Sequence, residues 1–145
     1  MIGTREQISQ YLWQLEDDKL YEIKEYKEKR KLSQNAYSWK LQTMIANKLK
    51  ISKEEVHFDM LKHYGQSEIV SLLEDINYED YFTYCEEIGK SELNGKVFRH
   101  IKVYKPTHKM DIKEMSIFID GVVQEAEQLG IETMKKEAIK ELELL

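Results

Sequence analysis

Residues 29 to 39, KRKLSQNAYSW, gather many of the groups in this chain that could hold an anion. Lys29, Arg30 and Lys31 end one segment, Ser33 is suited to cap the helix that follows, and Gln34 and Asn35 fall in its first turn. The unpaired amides of a helix N-terminus attract anions, and cations just upstream reinforce that attraction. Arg30, Lys31, Gln34 and Asn35 are therefore the candidate contacts to a phosphate chain or a base edge. A second group lies on KVFRHIKVYK, residues 96 to 105, which alternates as a strand does. Val97, Arg99, Ile101 and Val103 share one face, and Phe98, His100, Lys102 and Tyr104 share the other. A strand with basic groups between aromatic rings suits nucleic acid, since cations meet phosphates and rings stack on bases. Arg99 and Lys102 join the candidate set, and the expectation is that both basic segments converge in one positive groove.

Other chemistry has less to work with. His57 and His63 are six residues apart and do not share a helical face, while His100 and His108 flank a strand end. HExxH, CxxC, GxSxG, P-loop and GxGxxG patterns are all missing from the sequence. No catalytic residue, metal ligand or cofactor is assigned. Asp59, Asp75, Asp80, Asp111 and Asp120 could gather two magnesium ions for a nuclease, which is kept as an alternative reading. Asp111 is better used as a helix cap, and Asp75 and Asp80 as turn and first-turn residues. Cys85, in YFTYCEEIG, has acidic neighbours that oppose a thiolate, so it reads as a helical packing residue.

These groups must be positioned by a chain of 145 residues that is 41% hydrophobic and 34% charged, too apolar for disorder and too charged for a membrane protein. A single domain over residues 1–145 is expected. A lone cysteine fits a reducing compartment, and MIGTREQ lacks the basic and apolar regions of an export signal, so the cytoplasm is the expected location. The net charge of −5 argues against bulk attraction to nucleic acid, but the charge is unevenly spread. Residues 24 to 53 hold nine Lys/Arg against two Glu, and residues 96 to 113 hold six against one Asp, whereas residues 54 to 95 hold eleven acids against two Lys. A local positive strip on an acidic body follows if the two basic segments meet.

The periodicity predicts about six helices and three strands, an α+β fold with a small, mostly antiparallel three-stranded sheet. Capping boxes are expected at Thr4/Gln7, Ser52/Glu55 and Asp111/Glu114. The first helix, over residues 4 to 16, is expected to end at Asp17-Asp18, and KLYEIKEYK to form a half-buried strand. From Ser33 a helix follows with a stripe of Tyr37, Leu41, Met44, Ile45 and Leu49, and Trp39 on a second apolar side. SEIVSLL reads as a strand, YEDYFTYCEEIG as a helix capped by Asn77, and Asn94-Gly95 as a tight turn. Met115, Ile119, Val122, Ala126 and Leu129 mark a helix closed by Gly130, and Thr133 is suited to cap a last helix.

The KRKLSQNAYSW junction, between EIKEYKEKR and SWKLQTMIANKL, resembles the NinB (lambda Orf-like) family of phage recombination proteins. The matching residues are Arg30 and Lys31 followed by Leu32, Gln34, Asn35 and Trp39. Residues 113 to 133, KEMSIFIDGVVQEAEQLGIET, also resemble the C-terminal part of related phage proteins, so the likeness covers roughly residues 19 to 50 and 111 to 133. The sequence departs from that family in its acidic net charge and in its N-terminal helix. The resemblance implies a dimeric accessory protein in the host bacterial cytoplasm that binds single-stranded DNA, weakly and in a salt-sensitive way, and the host single-strand-binding protein. It would help a strand-annealing recombinase to load. A different reading is an acidic interaction protein that sequesters a host factor, as a DNA mimic or defence inhibitor.

The surplus of apolar faces independently predicts a homodimer. Its candidate contacts are Trp39 and, at the chain end, Ile139, Leu142 and Leu145.

Overall fold

The computed structural model describes residues 1–28 and 32–142, the side chains of residues 32 and 33 excepted. Arg30, Lys31 and Leu145 thus lie outside the described residues. Helix α1 (Arg5–Leu12) opens with the expected capping box, the Thr4 amide donating to Gln7 Oε1 at 2.9 Å and the Gln7 amide to Thr4 Oγ1 at 3.4 Å. It stops well before Asp17-Asp18 and buries none of its residues, and a short helix without packing gains little from extension. Residues 13 to 28 follow without regular structure, so the expected strand over KLYEIKEYK is an irregular segment with no ladder partner among the described residues. Its alternation is present in the sequence, but a strand exists only by pairing.

Helix α2 (Leu32–Leu49) begins one residue before Ser33, which therefore lies inside the helix. Its buried face carries Gln34, Ser38 and Gln42 beside Leu41, Ile45 and Ala46. Met44 and Leu49, expected in the core stripe, are exposed, because the helix is rotated to press this half-polar face on its neighbours. Its end turns through Lys50 at φ 58°, and the Ile51 amide donates back to the Ala46 carbonyl at 3.2 Å. Ser52 then caps helix α3 (Lys53–Tyr64), accepting from the Glu55 amide at 3.1 Å and donating to Glu55 Oε1 at 3.3 Å.

Strands β1 (Ser67–Leu73), β2 (Cys85–Leu93) and β3 (Lys96–Tyr104) form an antiparallel sheet in the order β1-β3-β2. The β2–β3 hairpin turns at Asn94 and Gly95, with φ of 53° and 75°, the pair that a two-residue turn of this hand requires. The helix expected over YEDYFTYCEEIG is replaced by a 3₁₀ turn at Tyr78–Asp80 and by β2, which carries Cys85. Aromatic residues at helical spacing did not outweigh the hairpin that Asn94-Gly95 nucleates beside it.

Pro106 ends β3, and Asp111 with Glu114 makes the capping box that starts helix α4 (Ile112–Gln128). Gly130, at φ 74°, closes it: the Gly130 amide donates to the Glu127 carbonyl and the Ile131 amide to the Ala126 carbonyl, each at 3.0 Å, with Ile131 buried. Helix α5 (Lys136–Glu141) starts later than Thr133, whose hydroxyl donates instead to Glu127 Oε1 at 2.9 Å. The fold is thus α+β, with five α-helices and three antiparallel strands among the described residues.

The core lies between α2, α3 and α4, around Leu41, Ile45, Leu61, Met115, Phe118, Ile119 and Val122. α4 approaches α3 so closely that a Cβ on Gly121 would stand 2.2 Å from the Tyr64 ring. Ile139 packs into this core within the same chain, and Leu142 is half-buried. Ile139 therefore does not present the open apolar face expected of an interface residue. No helix among the described residues is long and apolar enough to cross a membrane.

Candidate nucleic-acid interface

In an antiparallel ladder, opposed residues lie on the same face of the sheet. The register sets Leu73, Phe98 and Ser91 in one row, Ser71, His100 and Gly89 in the next, and Ile69, Lys102 and Glu86 in a third, all on one face. Leu72, Arg99 and Lys90 stand on the opposite face, with Val70, Ile101 and Glu87 beside them. A bulge at Ile88 preserves this alternation between Glu87 and Gly89.

The two faces differ in charge. The Arg99 face holds Glu68, Glu87 and Glu92 against Arg99 and Lys90, whereas the His100 face holds Lys96 and Lys102 against a single carboxylate, Glu86. That carboxylate is already engaged: the Tyr104 hydroxyl donates to Glu86 Oε1 at 2.7 Å and Lys62 of α3 lies 3.5 Å away. The Tyr104 hydrogen bond, with Lys62 behind it, holds the Glu86 carboxyl below the usual range. Burial, and then Glu86, push the Tyr104 phenol up to about 12. An acidic protein thus carries one sheet face on which free positive charge exceeds negative.

At the centre of this face His100 is held from both sides. Ser71 Oγ lies 2.7 Å from its Nδ1 and Ser91 Oγ 2.8 Å from its Nε2, so one residue from each strand forms a Ser-His-Ser bridge. A serine–histidine pair at this distance has the reach of a nucleophile and its base, but the second nitrogen meets another serine and not the carboxylate that would orient and charge-balance the ring. The arrangement offers hydroxyl and imidazole groups for hydrogen bonding, flanked by the half-buried Phe98 ring and by Lys102. Ile69 and Leu93, 63% exposed each, border it on the outer strands.

The residues expected to share one groove are dispersed. Arg99 faces away from Lys102: its guanidinium donates to the Glu74 carbonyl and lies over the Tyr78 ring, 5.8 Å from the centroid, tying the β1–β2 connection to the sheet. Gln34 is buried and Asn35 is half-buried, so neither projects freely from the start of α2. Arg30 and Lys31 lie outside the described residues. Trp39 is half-buried against its own chain, its indole stacked on His57, and so is partly covered where an interface contact was expected. Lys102 alone among the described candidates stands on the basic face. Ser71, Ser91 and Lys62 were not anticipated. Ser71 follows once β1 is paired to β3, but Ser91 could not be placed while its neighbours read as a helix.

His57 is the second histidine with a defined setting. Its Nδ1 lies 2.7 Å from Gln42 Oε1, and Gln42 Nε2 donates to the Ser38 carbonyl at 3.1 Å, which assigns the proton to Nδ1. Burial drops the imidazole to about 4, so it is neutral and structural. Among the described residues no group of three His, Cys, Asp or Glu side chains is close enough to hold a metal ion. No family model, curated protein or solved structure matches this chain.

Proposed function

We propose that the chain binds single-stranded DNA across the His100 face of its sheet and serves as an accessory protein in phage-type recombination. The observation that carries the binding is the charge bias of the sheet: Lys96 and Lys102 against Glu86, beside His100, Phe98 and two serine hydroxyls, on one face, and Glu68, Glu87 and Glu92 against Arg99 and Lys90 on the other. Cations supply a salt-sensitive attraction to phosphates, the Phe98 ring a stacking surface, and the Ser-His-Ser bridge hydrogen-bonding groups of either polarity. The recombination role rests on the resemblance of the Arg30–Trp39 stretch to the NinB family, as does an interaction with a single-strand-binding protein. Photocrosslinking to a bromodeoxyuridine-substituted oligonucleotide tests the binding surface. Adducts on Phe98, His100 or Lys102 support it, and adducts confined to other residues overturn it. Capture of the host single-strand-binding protein that survives nuclease treatment would support the partner.

A further inference from the structure

Two unsatisfied features of this fold complement each other. The first is the segment Lys19 to Lys27, KLYEIKEYK, which has the alternation of a strand and none of its pairing. Among the described residues the backbone bond from the Ile112 amide to the Glu28 carbonyl, at 3.3 Å, is the one that anchors its end. Its apolar side chains face solvent, Leu20 fully and Ile23 at 62%. The second is the outer edge of β1, which among the described residues pairs only with β3.

The sheet's other edge is guarded in the usual way, by a bulge and by Glu86, Glu87, Lys90 and Glu92 along β2. β1 has no such guard, with Glu68 its one charged residue and Ile69 63% exposed. Among the described residues of a single copy, both the strand-like segment and the open edge are unpaired.

We infer that Lys19 to Lys27 of one copy adds as an antiparallel strand to the β1 edge of a second copy, reciprocally, giving a twofold dimer. Setting Lys24 opposite Glu68 brings Ile23 against Ile69 and Leu20 against Leu72, so charge and apolar contacts match in one register. Reciprocal exchange closes the assembly at two chains and leaves no free β1 edge. In that register Tyr21 falls on the same face as Ser71 and His100. The inference does not depend on nucleic-acid binding.

The test uses the full chain with Cys85→Ser as background. Ile23→Cys protein mixed with Ile69→Cys protein should form a disulfide-linked heterodimer under mild oxidation, and sedimentation should give twice 17.3 kDa. Ile23→Pro, which removes a ladder donor from a segment unpaired in the monomer, should weaken association by about tenfold or more while leaving thermal unfolding of the monomer unchanged. A monomer at tens of micromolar, a dimer insensitive to Ile23→Pro, or a double-cysteine chain that closes only on itself would each overturn the inference.

Discussion

The Trp39 indole lies flat on the His57 imidazole, ring centroids 4.0 Å apart and planes 16° from parallel, with Tyr84 and Phe118 meeting the same imidazole edge-on. This stack joins α2 to α3 at the point where Gln42 fixes the imidazole proton. Trp39 therefore works as a packing element inside the monomer.

A pH dependence follows from that burial. His57 is held near 4 in the fold against about 6.5 in an unfolded chain, so the unfolded state binds the proton more readily. Its contribution is fully present above about pH 6.5 and is lost as pH falls toward 4, on the order of 3 kcal/mol over the window. Urea unfolding at pH 7 and pH 5 should show this loss, and His57→Gln should shrink it. An undiminished pH dependence in the variant would place the titrating group elsewhere.

Gly121 has no room for a methyl group, because its Cβ position meets the Tyr64 ring, whose hydroxyl donates to Glu125 Oε1 at 2.6 Å. Alanine normally favours a helix interior by about 1 kcal/mol over glycine. Here Gly121→Ala should destabilise by roughly 1–3 kcal/mol through overpacking. Combining it with Tyr64→Leu should recover part of the loss in a double-mutant cycle, and strict additivity would deny the contact.

Lys50 adopts a left-handed conformation at the end of α2, where a side chain costs about 1 kcal/mol and glycine costs almost nothing. Lys50→Gly should therefore raise the unfolding midpoint, by about 0.5–1 kcal/mol in stability. A lower midpoint would show that Lys50 makes a contact worth more than its strain.

The sequence was most legible where local chemistry decides structure. Thr4 with Gln7, Asp111 with Glu114, Asn94-Gly95 and the Gly130-Ile131 closure each specify their own geometry within a few residues, and each is found as read. It misled where partners decide. KLYEIKEYK alternates but has no ladder partner among the described residues, and residues 78 to 89 carry a helical aromatic spacing overruled by a hairpin. The candidate site was half legible for the same reason: the alternation on β3 separated Arg99 from Lys102 correctly, but the polarity of the whole face needed the register of both neighbours. The buried Gln42–His57 pair, fifteen residues apart, has no local signature.

The central claim is that one face of the sheet binds single-stranded DNA, and matched charge deletions on the two faces test it most directly. Fluorescence anisotropy with a dye-labelled oligonucleotide should show binding that weakens steeply with salt, each contacted phosphate contributing about 0.7 to the slope. Lys96→Ala with Lys102→Ala should lower affinity and reduce the slope by about 1.4, whereas Lys90→Ala, on the opposite face, should leave both unchanged. No binding at low salt, or an equal loss from Lys90→Ala, would contradict the account.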